Sequence, residues 1–211
     1  MTFPELYDLF ASLPSGGSIN DDTRLQKGFM YALINNCKAA AQRQVYKATK
    51  RTHPDWFIQY YPEYDSTWQT DNCSKTFFCP AFVSLDEVRD GVGYVGSVNT
   101  NFSMTVVKDH QTYAAMLQHP DLRPRQGEAY VLFLPNGLTK IYGSFVRQPV
   151  FDIIPADPRE IPTYNMDTDR YPVDEGLIDV MKKIAMGTDM MIITKSAINA
   201  LNGQQPLINQ R

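Results

Sequence analysis

At 211 residues the chain is long enough to bury a core without staples, and its length is that of one domain or two small ones. With 43% hydrophobic and 20% charged residues it is ordinary for a globular protein, which excludes a disordered chain. A net charge of −3 excludes a binder that holds nucleic acid through a basic overall field. Residues 4–13 open the chain as a short helix, with Pro4 in its first turn and Glu5 and Asp8 complementing its dipole. Pro14-Ser15-Gly16-Gly17-Ser18 ends it as a flexible joint.

Asp21 or Asp22 then caps a long helix from 22 to about 51, with Thr23 and Gln26 placed as a capping box. It stops before His53-Pro54, because the residue before a proline avoids helical backbone. Met30, Ile34, Cys37, Ala41, Val45 and Ala48 recur at helical spacing, and Leu25, Phe29, Leu33 and Ala40 widen that stripe. At ~1.5 Å per residue such a helix is ~45 Å long. A face that wide needs another helix against it, from the same chain or from a neighbour.

From 55 to 110 the period changes to short strands with irregular loops: Trp56 to Tyr61, Thr76 to Cys79, Gly93 to Gly96 and Phe102 to Val107. Residues 111–118 form a short helix ended by Pro120. Tyr130 to Leu134 and Leu138 to Tyr142 flank Pro135-Asn136-Gly137. Asn-Gly takes positive φ at both central positions of a tight turn, so a β-hairpin is expected. A further strand follows from Phe145 to Ile154. Residues 155–172, with prolines at 155, 158, 162 and 172, form an extended loop.

Helix restarts at Asp174-Glu175, with Leu177, Ile178, Met181, Ile184 and Ala185 on one face. Gly187 ends it and Thr188 caps a second helix to about Leu201. Met181, Met186, Met190 and Met191 fall together here, and methionine tolerates alternative packings. Residues 202–211 are a polar tail. The fold class is therefore α+β. Residues 1–54 and 172–201 make a helical part, 55–171 a strand-rich part with the hairpin, and 202–211 a tail.

No residues are arranged for chemistry, so no catalytic residue, cofactor or metal is expected. Cys37, Cys73 and Cys79, an odd count without a leader sequence, fit reduced thiols. Cys73, Cys79 and His53 lack the spacing and the fourth ligand that structural zinc requires. His53, His110 and His119 are scattered at element ends, and no serine sits in a nucleophile elbow. Gly91 to Gly96 spells G-x-G-x-x-G. A dinucleotide site needs that loop between a strand and a helix N-terminus, whereas Ser97 to Val107 is strand-like, so a glycine-rich turn is expected. No apolar run approaches the ~18 residues of a membrane span.

The long helix carries a basic run, Lys38, Arg43, Lys47, Lys50 and Arg51, of which Arg43, Lys47, Lys50 and Arg51 lie on neighbouring turns of one face. The functional reading is contact with phosphate or with an acidic neighbouring subunit. The plainer reading is a solvated face near a helix C-terminus, where cations are favoured anyway.

Two segments carry a resemblance. The first is Asp21-Asp22-x-Arg24-Leu25 with the helix through Lys38-Ala39-Ala40-Ala41-Gln42-Arg43 and Gln59 beyond it. The second is Tyr171-Pro172-Val173-Asp174-Glu175-Gly176-Leu177-Ile178 with Gly187-Thr188-Asp189-Met190. With the hairpin between them, they resemble the ring or connector (head-to-tail adaptor) proteins of crAss-like and related short-tailed phages. The chain departs from that pattern at Lys38 and Gln42, where arginines would be expected. The resemblance implies a non-catalytic subunit of a homo-oligomeric ring below the portal, through which DNA passes. Its partners would be the portal and other tail or ring proteins, with non-specific contact to packaged DNA and no membrane. Its place would be the virion neck or tail, after synthesis in the host cytoplasm. The alternative from another class is a small intracellular nucleotide-binding module or enzyme using the Gly91 to Gly96 loop. A third is an accessory domain that binds a protein through a β-edge.

Overall fold

The computed structural model describes residues 1–13, 27–62, 74–85, 91–98, 100–107, 109–125, 128–134, 137–143 and 148–187. The expected cap at Asp21-Asp22, the second C-terminal helix, the polar tail and Cys73 lie outside the described residues. The described helices are α1 (Phe3–Ser12), α2 (Lys27–Thr49), α3 (His110–Gln118) and α4 (Glu175–Gly187). The strands are β1 (Ile58–Tyr60), β2 (Ser74–Phe78), β3 (Val92–Ser97), β4 (Thr100–Ser103), β5 (Thr105–Val107), β6 (Tyr130–Phe133), β7 (Leu138–Tyr142) and β8 (Pro149–Ile153). The class is α+β.

The chain divides into two compact units, one of Met1–Trp56, Ser84–Val88 and Tyr164–Arg211, the other of Phe57–Val83 and Arg89–Thr163. In the first, α2 packs against α1 and α4. Met30, Leu33, Ile34, Cys37 and Ala41 are buried on α2, and Leu177, Met181 and Ala185 on α4. These positions follow the helical period because only one stripe of each helix can reach the core. The Glu5 carboxylate accepts from the Thr2 N–H at 2.7 Å and secures the start of α1, and Phe3, Leu6 and Phe10 fill the space beneath it. Burying each of these large side chains contributes roughly 1.5–3 kcal/mol. Residues 164–171, expected in the strand-rich part, belong to this helical unit. Tyr171 is fully buried with its hydroxyl on Asn35 Oδ1, and Arg170 pairs with Asp55 at 2.9 Å.

The second unit holds two four-stranded sheets, ordered β1-β8-β3-β4 and β2-β7-β6-β5. The first is antiparallel throughout, and in the second only β5 and β6 run parallel. The sheets meet through aromatic rings: Phe133 lies edge-on to Phe151 at 5.8 Å and to Phe82 at 5.2 Å. On the opposite side of the second sheet, α3 sets Tyr113 against Val107 and Leu132. Asp109 caps α3, accepting from the Thr112 N–H at 2.7 Å.

The hairpin forms between β6 and β7. Phe133 pairs with Thr139, and the Leu134 N–H donates to the Leu138 carbonyl at 2.8 Å. The Gly137 N–H returns to the Leu134 carbonyl at 3.2 Å, and Gly137 takes a φ of 75°. Pro135 and Asn136, and with them the expected Asn-Gly turn geometry, lie outside the described residues.

The glycine-rich segment is not a turn. Val92–Ser97 is strand β3, paired with β8 on one side and β4 on the other. Its glycines answer close approaches. A Cβ on Gly91 would lie 2.3 Å from the Val83 carbonyl oxygen, and one on Gly93 would lie 2.8 Å from the Phe57 ring.

Candidate functional site

The C-terminal turns of α2 bring the basic residues together at one end of the helix. Arg43, Lys47, Lys50 and Arg51 are all exposed. Lys38, grouped with them by sequence, is not part of that surface. It is 0% exposed, and its Nζ lies 5.4 Å from the centre of the Tyr171 ring. Lys38 sits four residues after Ile34 and three before Ala41, on the buried stripe.

Each exposed cation is held differently. The Arg43 Nε–H donates to the Ser84 carbonyl at 2.9 Å, which fixes the guanidinium against a segment 41 residues away. The Lys50 N–H donates to the Tyr46 carbonyl at 2.7 Å and closes the helix end. Lys50 itself has φ of 55°, the left-handed conformation that usually falls to glycine after a helix. Its ammonium lies 5.3 Å from the centre of the Tyr46 ring, within cation–π range. The Arg51 N–H donates to Thr49 Oγ1 at 3.2 Å, which orders the backbone beyond the helix. Lys47 and Arg51 make no ion pair among the described residues. The negative end of the helix dipole favours cations here, and the exposed ones can meet an anionic partner.

Gln42, one turn from Lys38, is buried as well. It is 0% exposed, and neither its Oε1 nor its Nε2 has a hydrogen-bond partner among the described residues. Nothing in the sequence distinguishes it from a surface glutamine except its place on the apolar stripe.

Among the described residues, the remaining titratable groups lie scattered. Burial pushes the Cys37 thiol up to about 11 and the Cys79 thiol up to about 12, so neither is a thiolate near neutral pH. The Thr139 hydroxyl beside Cys79 opposes that shift weakly, and the contact falls short of hydrogen-bond geometry. His53 Nδ1 accepts from the Asp55 N–H at 3.2 Å, while His110 and His119 sit at the two ends of α3. No group of three metal-ligating side chains occurs among the described residues. Gly91 to Gly96 feeds strand β4 rather than a helix N-terminus, so its amides are not gathered for a pyrophosphate. A cleft of about 220 Å³ opens between the Cys79–Phe82 segment and the hairpin, lined by Phe82, Phe133, Leu134 and Leu138. Pockets for drug-sized ligands are ~300 Å³ or larger. No described helix is long and apolar enough to cross a membrane.

No family model matches this chain, and no curated protein matches it.

Proposed function

We propose that the chain is a structural subunit of a phage head-to-tail connector. Copies of it form an oligomeric ring below the portal, and DNA passes through the ring. It binds the portal and other tail or ring proteins, sits in the virion neck or tail, and catalyses nothing. The resemblance of its two terminal segments to short-tailed phage ring proteins is the starting point.

One observation carries the reading furthest. Lys47, Lys50 and Arg51 stand exposed at one helix end, and Lys50 keeps a backbone conformation that glycine would adopt with less strain. A position that trades stability for charge fits a surface that meets phosphate or an acidic neighbour. In a ring, that surface faces either the channel or the next ring.

Mass photometry of the full chain over a range of concentrations tests the proposal. The expected result is a discrete oligomer of fixed copy number. A chain that stays monomeric throughout and binds nucleotide would overturn it in favour of a nucleotide-binding module.

A further inference from the structure

The sheet ordered β1-β8-β3-β4 gathers aromatic rings around one carboxylate on a single face. Phe151 points toward the other sheet, where it meets Phe133, and Tyr60 stacks on it at 6.5 Å. Side chains alternate along a strand, so Asp152 and its cross-strand neighbour Gln59 stand on the opposite face. On its other flank, β8 pairs Ile153 with Val92 and Phe151 with Val95, which leaves Gly93 and Tyr94 together opposite Asp152. A bulge of this kind sets two residues against one and re-aims their side chains.

The glycines of the G-x-G-x-x-G string make room for the rings. A Cβ on Gly93 would lie 2.8 Å from the Phe57 ring, and one on Gly96 would collide with the Tyr94 ring and hydroxyl. Both aromatic side chains therefore lie over bare backbone. The Tyr61 hydroxyl donates to Gln59 Oε1 at 2.5 Å, which leaves the amide nitrogen of Gln59 to donate to Asp152. Tyr61 is 39% exposed and Tyr94 38%. Asp152 is half-buried and makes no ion pair among the described residues. Burial pushes its carboxyl up, and the Gln59 hydrogen bond opposes that shift.

We propose that this face binds the ammonium or guanidinium group of a lysine or arginine side chain on a partner protein, with Asp152 as counter-ion and the Tyr61 and Tyr94 rings beside it. The inference does not depend on the ring reading, which leaves this face unassigned. Charge complementarity selects the occupant. A carboxylate and the negative faces of aromatic rings both attract a cation, and both repel phosphate. A carboxylate that has lost part of its water is stabilised by an opposite charge within ~4–6 Å. A single cation on an open face is held weakly, so the chain that carries it supplies the rest of the contact.

The test titrates the full-length chain, with its tyrosine rings isotopically labelled for NMR, with N-acetyl-lysine methylamide and with its neutral counterpart N-acetyl-norleucine methylamide. The Tyr61 and Tyr94 resonances should shift saturably with the lysine compound and stay in place with the norleucine compound. Asp152→Asn is nearly isosteric and should weaken the lysine compound by roughly tenfold with an unchanged circular dichroism spectrum. Tyr94→Leu should weaken it by roughly threefold. Should Asp152→Asn unfold the chain, ionic strength serves instead: the unaltered chain should bind the lysine compound several-fold more weakly at ~1 M salt than at ~0.01 M. Equal shifts with the two compounds would assign the face to apolar contact and overturn the proposal. No shift with the lysine compound, or binding that neither Asp152→Asn nor salt weakens, overturns it as well.

Discussion

Lys50 separates what the fold wants from what the surface carries. A side chain in the left-handed region is strained by roughly 1–2 kcal/mol, and only glycine escapes that. Lys50→Gly should therefore raise stability by about 1 kcal/mol, read as a higher midpoint in denaturant unfolding with an unchanged slope. A lower midpoint would mean that the ammonium over the Tyr46 ring outweighs the backbone strain. The buried thiols set a second residue-level expectation. An unfolded thiol releases its proton near its ordinary value of 9.0, whereas folded Cys37 holds it to about 11 and Cys79 to about 12. Between those values the unfolded chain binds fewer protons than the folded one, so stability falls as pH rises above about 9. Burial pushes the Tyr113 hydroxyl up to about 12 and adds to the slope. Melting temperatures followed from about pH 8 to about pH 11 should drop more steeply for the unaltered chain than for a Cys37→Ala, Cys79→Ala double variant. Parallel curves would contradict it.

Among the elements, periodicity located what local chemistry decides. The stripe through Met30, Ile34, Cys37 and Ala41 is the buried face of α2, and Leu177, Met181 and Ala185 are that of α4. The hairpin was visible because one glycine with positive φ must sit between two strands, and Gly137 does. Gly137→Val should destabilise the protein by on the order of 1–2 kcal/mol in thermal unfolding. Its new Cβ would also press to 3.2 Å from the Phe78 ring. An unchanged melting temperature would count against the strained glycine. The illegible parts depended on distant partners. A G-x-G-x-x-G string looks the same whether it turns or pairs, and only β8 and β4 on either side make it strand β3. Residues 164–171 look like loop, and partners far away in sequence, Met1, Asn35, Lys38 and Asp55 among them, draw them to the helical unit. Of the basic run, the spacing indicated the face of Arg43, Lys47, Lys50 and Arg51. The tether from Arg43 to Ser84 and the burial of Lys38 depended on packing.

At the scale of the whole molecule, the claim is a protein whose chemistry is contact. On the proposed ring reading, the exposed cations predict how the assembly would meet DNA. Each phosphate contact contributes roughly −0.9 to the slope of log affinity against log salt on double-stranded DNA. Lys47→Glu and Arg51→Glu together should keep the fold, since both side chains are exposed. They should flatten that slope by roughly 2. An unchanged slope would assign the face to a protein neighbour. The most direct measurement of the central claim is imaging of purified phage particles whose copies of this chain carry a small added label. The account predicts label density in a symmetric ring between portal and tail, with a fixed number of copies per particle. Particles of normal form that contain none of the chain, or label scattered away from the neck, would contradict it.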